Sequence, residues 1–405
     1  AMLTAVTTMV SSIRQYGIAY EKAAVGGWHV RADAVTQEIY EELLSDRRVA
    51  DSCTLQNIGY ARIPGAESTY RPYFCLQAMN ETFVSEMPLP LEEGRLPKRP
   101  GEVVIPNRVI LEQEIEVEVG DTLTLSAGRR IDDQGKVLWQ TDEYRYTEYE
   151  DGTTEIREHL EGEETYPVTV VGILKNTPFE QYMGPGYTML TVGEPEDFIV
   201  PDGQKQDRYY DCYLVMSQVK DALSLYHELD ADGISAGYNY QLLRFYGISE
   251  RSDFNNVIYG MGSILIVIIV LGSVALIYNA FAISIGERTK QFGLLTSVGA
   301  TRRQMLSAVC FEALLLCVIG IPLGIASGIC GIGITLSFFK GQLEYLIGSA
   351  VGVRMRLYVS VGSVALAALI GTATVLFSAW LPMRRALKVS AIDAIRQRKD
   401  IRLTA

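Results

Sequence analysis

Three long apolar runs occupy the C-terminal part of the sequence, and they constrain the fold more than any other feature. They cover Val257–Ile285, Met305–Phe339 and Leu357–Leu381. About 20 helical residues are enough to cross the ~30 Å hydrocarbon core of a bilayer. Each run therefore predicts a transmembrane helix. Pro322, in the middle of the second run, predicts a kink in that helix.

The charge of the chain is divided between two regions. The sequence of 405 residues has a formal net charge of −12. Residues 1–255 carry 22 Lys and Arg against 43 Asp and Glu, whereas residues 256–405 carry 14 against 5. This division predicts an acidic soluble domain followed by a membrane domain with basic edges. A globally acidic chain also argues against nucleic-acid binding, which requires a basic surface.

Basic residues set the expected orientation of the membrane domain. The segment 286–304 carries four basic residues and one acidic residue, and residues 382–405 form a basic tail. Positively charged segments stay on the cytoplasmic side of a membrane. We therefore expect 286–304 and the tail to be cytoplasmic, and the loop 340–356 to lie outside.

The part of the chain before these runs is expected to be extracytoplasmic. Residues 1–13 are small and apolar without a charged region ahead of them, and we interpret them as the end of a truncated transmembrane helix. Residues 14–256 predict one α+β domain. Helical spacing is found at Asp33–Arg48 and Val219–Leu229. Strands are expected at Thr54–Ile63, Tyr70–Leu76, Val103–Ile105, Thr122–Leu125 and Tyr166–Leu174, and Ile115–Val119 alternates apolar and acidic residues.

The most acidic stretch, residues 142–164, is also rich in tyrosine. Asp151 and Gly152 lie between Tyr/Thr-rich runs, which predicts a β-hairpin. Two interpretations of its surface stay open: a binding surface for a cationic ligand or partner, and a plain solvated hairpin.

Motifs for catalysis or metal binding are lacking in the sequence. The histidines His29, His159 and His227 are scattered, and no CxxC pair or HExxH motif occurs. The Walker A pattern GxxxxGK[ST] is also absent, so ATP-driven work needs the nucleotide site of a partner. The disulfide state of the three cysteines in the soluble part is left open, with one bridge or free thiols as the alternatives: Cys53, Cys75 and Cys212.

The second apolar run contains small residues at four-residue spacing, namely Gly320, Gly324 and Gly328, which predicts close approach of another helix. Glu312 lies about eight residues into the same run, and an intramembrane carboxylate calls for a partner. Asn279 and Arg288 are the candidates. Glu312 is either a gating contact or a carboxylate that fixes the position of the helix.

Segment 286–304, GERTKQFGLLTSVGATRRQ, has more structure than a basic loop requires. Phe292, Leu294, Leu295 and Val298 give a short helix with one apolar face, and Thr301 with Gln304 fits a capping box for the next helix. An amphipathic helix at the cytoplasmic end of two spans is placed to dock on a soluble partner. A plain basic loop is the alternative.

The same residues carry a family resemblance. ERTKQFGLLTSVGATRRQM followed by Glu312 resembles the signature of FtsX/MacB-like ABC transporter permeases, and AWLPMRRALKVSAIDAIR resembles the end of that family. In the soluble part, EEGRLPKRPGEVVI and YPVTVVGIL resemble the MacB-type extracytoplasmic domain, and YNYQLLRFYGIS resembles a Firmicutes-like subfamily. Gln291 and Ala391 depart from the family, which usually has Glu and Pro there.

The resemblance implies a multi-pass protein of the bacterial plasma membrane, with an α-helical transmembrane bundle and an inserted MacB-like α+β domain. It implies a permease that is not itself an enzyme and binds no cofactor, because a cytoplasmic ATPase dimer binds ATP and Mg²⁺. A second permease copy or a fused second half completes the assembly. The element facing the ATPase would comprise Glu287, Arg288, Gly293, Leu294, Leu295, Gly299, Ala300 and Arg302.

Two functions remain open on this resemblance. One is export or removal of an amphiphile, such as an antimicrobial peptide or a lipid. The other is regulation without transport, in which mechanotransmission acts on a cell-wall hydrolase or a sensor kinase.

Overall fold

The computed structural model of the chain describes residues 1–65, 70–151, 153–181, 184–193, 208–250, 252–347 and 352–386. The chain divides into two compact units. The helical unit comprises Ala1–Gly17 and Arg251–Ala405, and the α/β unit comprises Ile18–Glu250. Residues 387–405 of the expected basic tail lie outside the described residues.

The helical unit is built from one helix that begins near the N-terminus and four that follow the α/β unit. They are α1 (Met2–Ala24), α7 (Ser252–Glu287), α8 (Thr289–Ser297), α9 (Arg302–Ile347) and α10 (Val361–Ala386). In the described part of the chain, three segments are long and apolar enough to cross a membrane: Gly262–Glu287, Arg302–Phe339 and Val361–Arg385. The three apolar runs of the sequence are thus confirmed as helices.

The helices do not end where the predicted segments end. α1 continues to Ala24, well beyond residue 13, and α9 continues to Ile347, into the expected loop. α10 begins at Val361 rather than Leu357 and continues past Pro382, where the tail was expected to begin. A helix propagates wherever its hydrogen-bonding continues, so a hydropathy limit marks the membrane-like segment and not the helix end.

The α/β unit contains the remaining helices and all the described strands. The helices are α2 (Gln37–Ser45), α3 (Glu81–Glu86), α4 (Asn107–Gln113), α5 (Ala222–Ala231) and α6 (Tyr240–Tyr246). The strands are β1 (Val30–Thr36), β2 (Val49–Arg62), β3 (Tyr73–Met79), β4 (Leu91–Gly94), β5 (Glu102–Pro106), β6 (Thr122–Asp132), β7 (Val137–Leu138), β8 (Tyr146–Glu148), β9 (Thr154–Ile156), β10 (Glu158–Leu174), β11 (Gly186–Val192), β12 (Tyr209–Met216) and β13 (Ala236–Tyr238).

One mixed sheet of 11 strands organises this unit, in the order β13-β1-β12-β2-β3-β11-β5-β10-β6-β7, with β4 beside β10. β6 also pairs back to β2, through Tyr60 with Gly128 and Ala61 with Ala127. Six strands, from β2 round to β6, therefore form a closed ring. Gly128 also permits the close approach of β6 and β10, because a Cβ there would lie 2.7 Å from the carbonyl oxygen of Glu161 in β10.

Separate apolar cores fill the ring and the sheet extension beside it. The ring core includes Phe74, Val103, Leu125 and Met189, all buried. The extension, formed by β12, β1 and β13, buries Val30, Cys212, Leu225 and Leu243 with the helices that cover it. The two cores make two lobes that share one continuous sheet.

A buried ion pair links the ring to the hairpin region. The Arg130 guanidinium donates to both carboxylate oxygens of Glu158 at 2.7 and 2.8 Å, and both side chains are 0% exposed. Arg130 also donates to the carbonyl oxygens of Trp139 (2.6 Å), Asp142 (3.4 Å) and Glu143 (3.3 Å). These bonds satisfy a charge that would otherwise be costly to bury.

The expectations for this unit are met in part. The hairpin is confirmed, since β8 pairs antiparallel with β9 and Tyr146 lies opposite Ile156. The helix over Asp33–Arg48 is wrong in its first part, because α2 begins at Gln37 and Val35 belongs to β1. Ile115–Val119 is not a strand; its apolar side chains pack against the ring core instead.

Candidate functional site

The segment between α7 and α9 folds as a short helix held between two turns. At the start of α8, Arg288 leaves the helical conformation with φ −90° and ψ 1°. At its end, Gly299 has φ +101°, which glycine adopts without a steric penalty. The Ala300 N–H donates to the Leu295 carbonyl oxygen at 3.0 Å and closes the last turn.

The predicted capping box is confirmed at the start of α9. The Gln304 N–H donates to Thr301 Oγ1 at 3.3 Å, and the Thr301 N–H donates to Gln304 Oε1 at 2.9 Å. This reciprocal pair satisfies two backbone donors that the helix start leaves free. The turn between α8 and α9 is therefore fixed at both ends.

One side of α8 packs into an apolar cluster, here called the corner cluster. Its buried members are Ile285, Met305, Val309, Ala313, Ala379 and Met383. Phe292 and Ala300 pack against it from α8 and the following turn. The cluster thus joins the end of α7, α8, the start of α9 and the end of α10.

The opposite side of α8 and the residue that follows the helix expose three large apolar side chains, here called the outer patch. Leu294 is 52% exposed, Leu295 50% and Val298 90%. The sequence predicted one apolar face that also included Phe292, and this is wrong. Phe292 packs against the corner cluster, so that α8 is apolar on two sides and the described residues leave the outer patch exposed.

Two polar contacts tie this region together. Arg288 Nη1 donates to both carboxylate oxygens of Glu312 at 3.0 and 2.8 Å. Of the two candidate partners for Glu312, the structure therefore selects Arg288 and leaves Asn279 exposed. Arg385 Nη1 donates to the Tyr278 hydroxyl at 2.6 Å, a contact between α10 and α7 that the sequence reasoning missed.

The eight residues predicted to face an ATPase differ in their exposure in the structure. Leu294 and Leu295 belong to the outer patch. Gly293 is buried, and Ala300 is half-buried against the corner cluster. Exposed members of the set are Glu287, Arg288, Gly299 and Arg302, of which Arg288 is engaged by Glu312.

The glycines of α9 differ in their surroundings. A Cβ at Gly328 would lie 2.5 Å from the Ala1 carbonyl oxygen, and one at Gly324 would lie 3.2 Å from the Ala1 nitrogen. The first turn of α1 therefore approaches α9 at these two positions. Gly320 has no atom within 4 Å of such a Cβ, and it lines a mostly apolar cavity of about 340 Å³ between α1, α7, α9 and α10.

Histidines and cysteines make no metal or redox site in the described part of the chain. No group of three or more His, Cys, Asp or Glu side chains is arranged there for a metal ion. All six cysteines are free, and Cys53, Cys75 and Cys212 are buried. His29 Nδ1 accepts from the Met216 N–H at 3.0 Å, and burial lowers the pKa of His29 to about 4, with Lys22 adding to the effect.

Comparison with known proteins shows that the corner cluster and the outer patch lie in a region that matches a known family. Residues 263–391 match the family model described as FtsX-like permease C-terminal. The chain carries an FtsX-like permease domain. It is also homologous to the macrolide export ATP-binding/permease protein MacB, with 31% identity to the protein of Hahella chejuensis over 33% of this chain and 18% of that protein. MacB of Shigella flexneri is 32% identical over 32% of this chain and 18% of that protein.

The chain spans about a fifth of the length of these MacB relatives. Among solved structures, the extracellular domain of the noncanonic ABC-type transporter YknZ from Gram-positive bacteria is similar. It has a TM-score of 0.29 and 11% identity over 52% of this chain and 98% of that domain. Residues 263–391 thus resemble an FtsX-like permease domain, and the described residues include three helices that are long and apolar enough to cross a membrane.

Proposed function

We propose that this chain is the permease subunit of an ABC transporter and that α8 is the element on which a separate ATPase docks. The outer patch carries the proposal. Three large apolar side chains exposed together on a short helix and the residue after it are typical of a protein-binding surface. Their position in the FtsX-like domain, beside the basic residues Arg302 and Arg303, favours a cytoplasmic partner.

The packing of α8 supports transmission of movement. The corner cluster and the Arg288–Glu312 pair connect α8 to α7, α9 and α10. Packed interiors are close to incompressible, so a displacement of α8 moves the attached helix ends with it. α7 extends from Ser252 to Glu287, next to α8, which gives the movement a continuous helical path along α7.

The ATPase supplies the chemistry in this proposal. ATP and Mg²⁺ bind the partner, since this sequence has no Walker A loop. A second permease copy or half completes the complex, with the α/β unit on the outer side of the plasma membrane. Export is the direction of transport we propose, because the MacB relatives are named for macrolide export, and an amphiphile is the proposed class of substrate.

Leu294→Asp is the direct test. Placing a carboxylate in the centre of the outer patch should abolish co-purification of the ATPase from membranes, because the apolar contact is lost and a charge is desolvated. Membrane insertion and the melting temperature of the purified chain should stay unchanged, since Leu294 is half exposed and does not belong to the corner cluster. The measurement is the amount of ATPase recovered per tagged permease.

Gln291→Glu is the matched control. It also adds a carboxylate to the exposed surface of α8, one turn before Leu294, and it restores the residue that the family resemblance expects there. This variant should bind the ATPase as the wild type does. Undiminished ATPase recovery with Leu294→Asp contradicts the docking proposal.

A further inference from the structure

A bulge in β1 brings two carboxylates of the α/β unit together. The pairing of β1 with β12 shifts between Ala32 and Val35. Within this bulge Ala34 has φ +51°, a left-handed conformation that is strained for a residue with a Cβ. It turns the Ala34 N–H towards β12, where that group donates to Asp211 Oδ1 at 2.8 Å. Asp33 precedes it and is 6% exposed.

The two carboxylates share a single cationic partner among the described residues. Arg31 Nη2 lies 3.0 Å from Asp33 Oδ2. Asp211 Oδ2 accepts a hydrogen bond from Gln77 Nε2 at 2.8 Å, and its other oxygen is bound to Ala34. Two ionised carboxylates against one guanidinium leave a net negative charge in the interior, which is unfavourable unless another positive charge enters.

A small cavity opens beside these groups. Its volume is about 10 Å³, the size of one water molecule, and it is lined by Asp33, Ala34, Asn57, Trp139, Gln140, Thr141, Gln181 and Asp211. Gln140 is only 7% exposed, and its Oε1 has no hydrogen-bond partner among the residues that the structure describes. Its Nε2 already donates to the Gly186 carbonyl oxygen. A buried acceptor without a donor is costly, and a protonated carboxyl supplies an O–H donor directly or through one water.

We propose that Asp33 and Asp211 form a proton-binding site that holds one proton between them near neutral pH and releases it as the surroundings become alkaline. The proton removes the excess charge and provides the donor that Gln140 Oε1 lacks. Because Asp211 in β12 bonds both β1 and β3, its charge state controls the junction between the two lobes. Loss of the proton loosens the loop around Trp139, which covers the cavity.

The titratable neighbours support this assignment. Burial raises the pKa of Asp33 to about 7, against the opposing effect of Arg31 and with a further increase from Asp211. Burial also raises the pKa of Asp211. The other groups facing the pair are Tyr213 and Cys212 on β12, Tyr60 on β2 and Cys75 on β3. Burial raises the pKa of each of them, so they stay neutral around pH 7.

The direction of the pH effect on stability follows from the raised pKa of Asp33. Its pKa in the folded chain lies above its value of 3.8 in a model peptide. The folded state therefore retains a proton that the unfolded state has lost. The stability that this proton contributes is complete below the unfolded pKa and is lost as pH rises through the folded pKa.

Trp139 provides a local probe. The sequence has three tryptophans. In a full-length chain with Trp28→Phe and Trp380→Phe, Trp139 is the single remaining tryptophan, so the fluorescence of this chain reports on the cavity. Its fluorescence in detergent, titrated from about pH 5 to 9, should show one transition with a midpoint near the Asp33 value of about 7. Asp33→Asn should remove the transition. Asp230→Asn, the same chemical change at an exposed position of α5, should leave it intact.

A second variant covers the case in which Asp33→Asn fails to fold. Asp211→Asn removes the neighbouring negative charge, so the transition should persist with its midpoint moved to lower pH. Absence of a transition in the parent, or its persistence in folded Asp33→Asn, overturns the proposal. A midpoint that moves with Na⁺ or Ca²⁺ concentration also overturns it, because the occupant is then a metal ion. The assay needs no ATPase, so its outcome is independent of the proposed permease function.

Discussion

The two units of this chain place charged pairs in opposite surroundings. In the α/β unit, Arg130 and Glu158 are 0% exposed and fully hydrogen-bonded. In the helical unit, Arg288 and Glu312 are 46% and 45% exposed. Apolar side chains follow the same division: Phe74 in the α/β unit is 0% exposed, whereas Leu369 in the helical unit is 67% exposed. One unit is organised to face water, and the other to face hydrocarbon.

This difference determines what each unit needs for stability. The α/β unit removes apolar area from water, so its buried charges must find every partner inside. In the helical unit, lipid solvates the exposed apolar side chains, and association depends on close packing and a few polar contacts. Disruption of a single interaction should therefore lower stability most in the interior of the α/β unit and least at the exposed Arg288–Glu312 pair of the helical unit.

Arg130→Ala should have the largest effect. It leaves Glu158 buried without its partner and frees three carbonyl oxygens between Trp139 and Glu143. Breaking a buried pair by removing one partner typically costs about 3–5 kcal/mol. The free energy of unfolding, measured by denaturant titration with tryptophan fluorescence, should fall by this amount. Arg157→Ala serves as the control, because Arg157 and Glu155 form an exposed pair. Equal losses of unfolding free energy in the two variants would contradict the expected difference between buried and exposed ion pairs.

Features that depend on neighbouring residues could be predicted from the sequence. The Thr301–Gln304 capping box spans four residues, and the hairpin around Asp151 needs only a turn between two short strands. The three apolar helices follow from composition alone. Local patterns fix such elements because their hydrogen-bond partners are close in the chain.

Features that depend on distant partners could not be predicted. Val35 looks like a helical residue beside Ile39, but it pairs with Tyr210 in β12 and so extends β1. Closure of the ring joins Ala61 to Ala127. Asp33 and Asp211 lie far apart in the sequence, and only the sheet brings them together. Sequence spacing carries no information on these pairings, since tertiary contacts override local preference.

Gly328→Ala tests the packing of the helical unit and should have an intermediate effect. The added Cβ would meet the Ala1 carbonyl oxygen at 2.5 Å and Thr4 Cβ at 3.0 Å, so α1 has to move away from α9. Overpacking of this kind costs about 1–3 kcal/mol. The melting temperature of the full chain in detergent should fall. Gly331→Ala, on the same helix with no atom within 4 Å, should not change it. Identical melting of both variants would mean that α1 makes no tight contact at Gly328.

Glu312→Gln should have the smallest effect on stability and a distinct effect on function. The pair with Arg288 is half exposed, and such pairs contribute less than about 1 kcal/mol, so the melting temperature should be almost unchanged. If the pair transmits movement from α8 to α9, substrate-dependent ATP hydrolysis by the complex should decrease. The charge-reversed double variant, Arg288→Glu with Glu312→Arg, should recover part of it because the attraction is restored. Full activity of Glu312→Gln would mean that the carboxylate only fixes the position of α9. Transmission of movement within the helical unit would then depend on apolar packing alone.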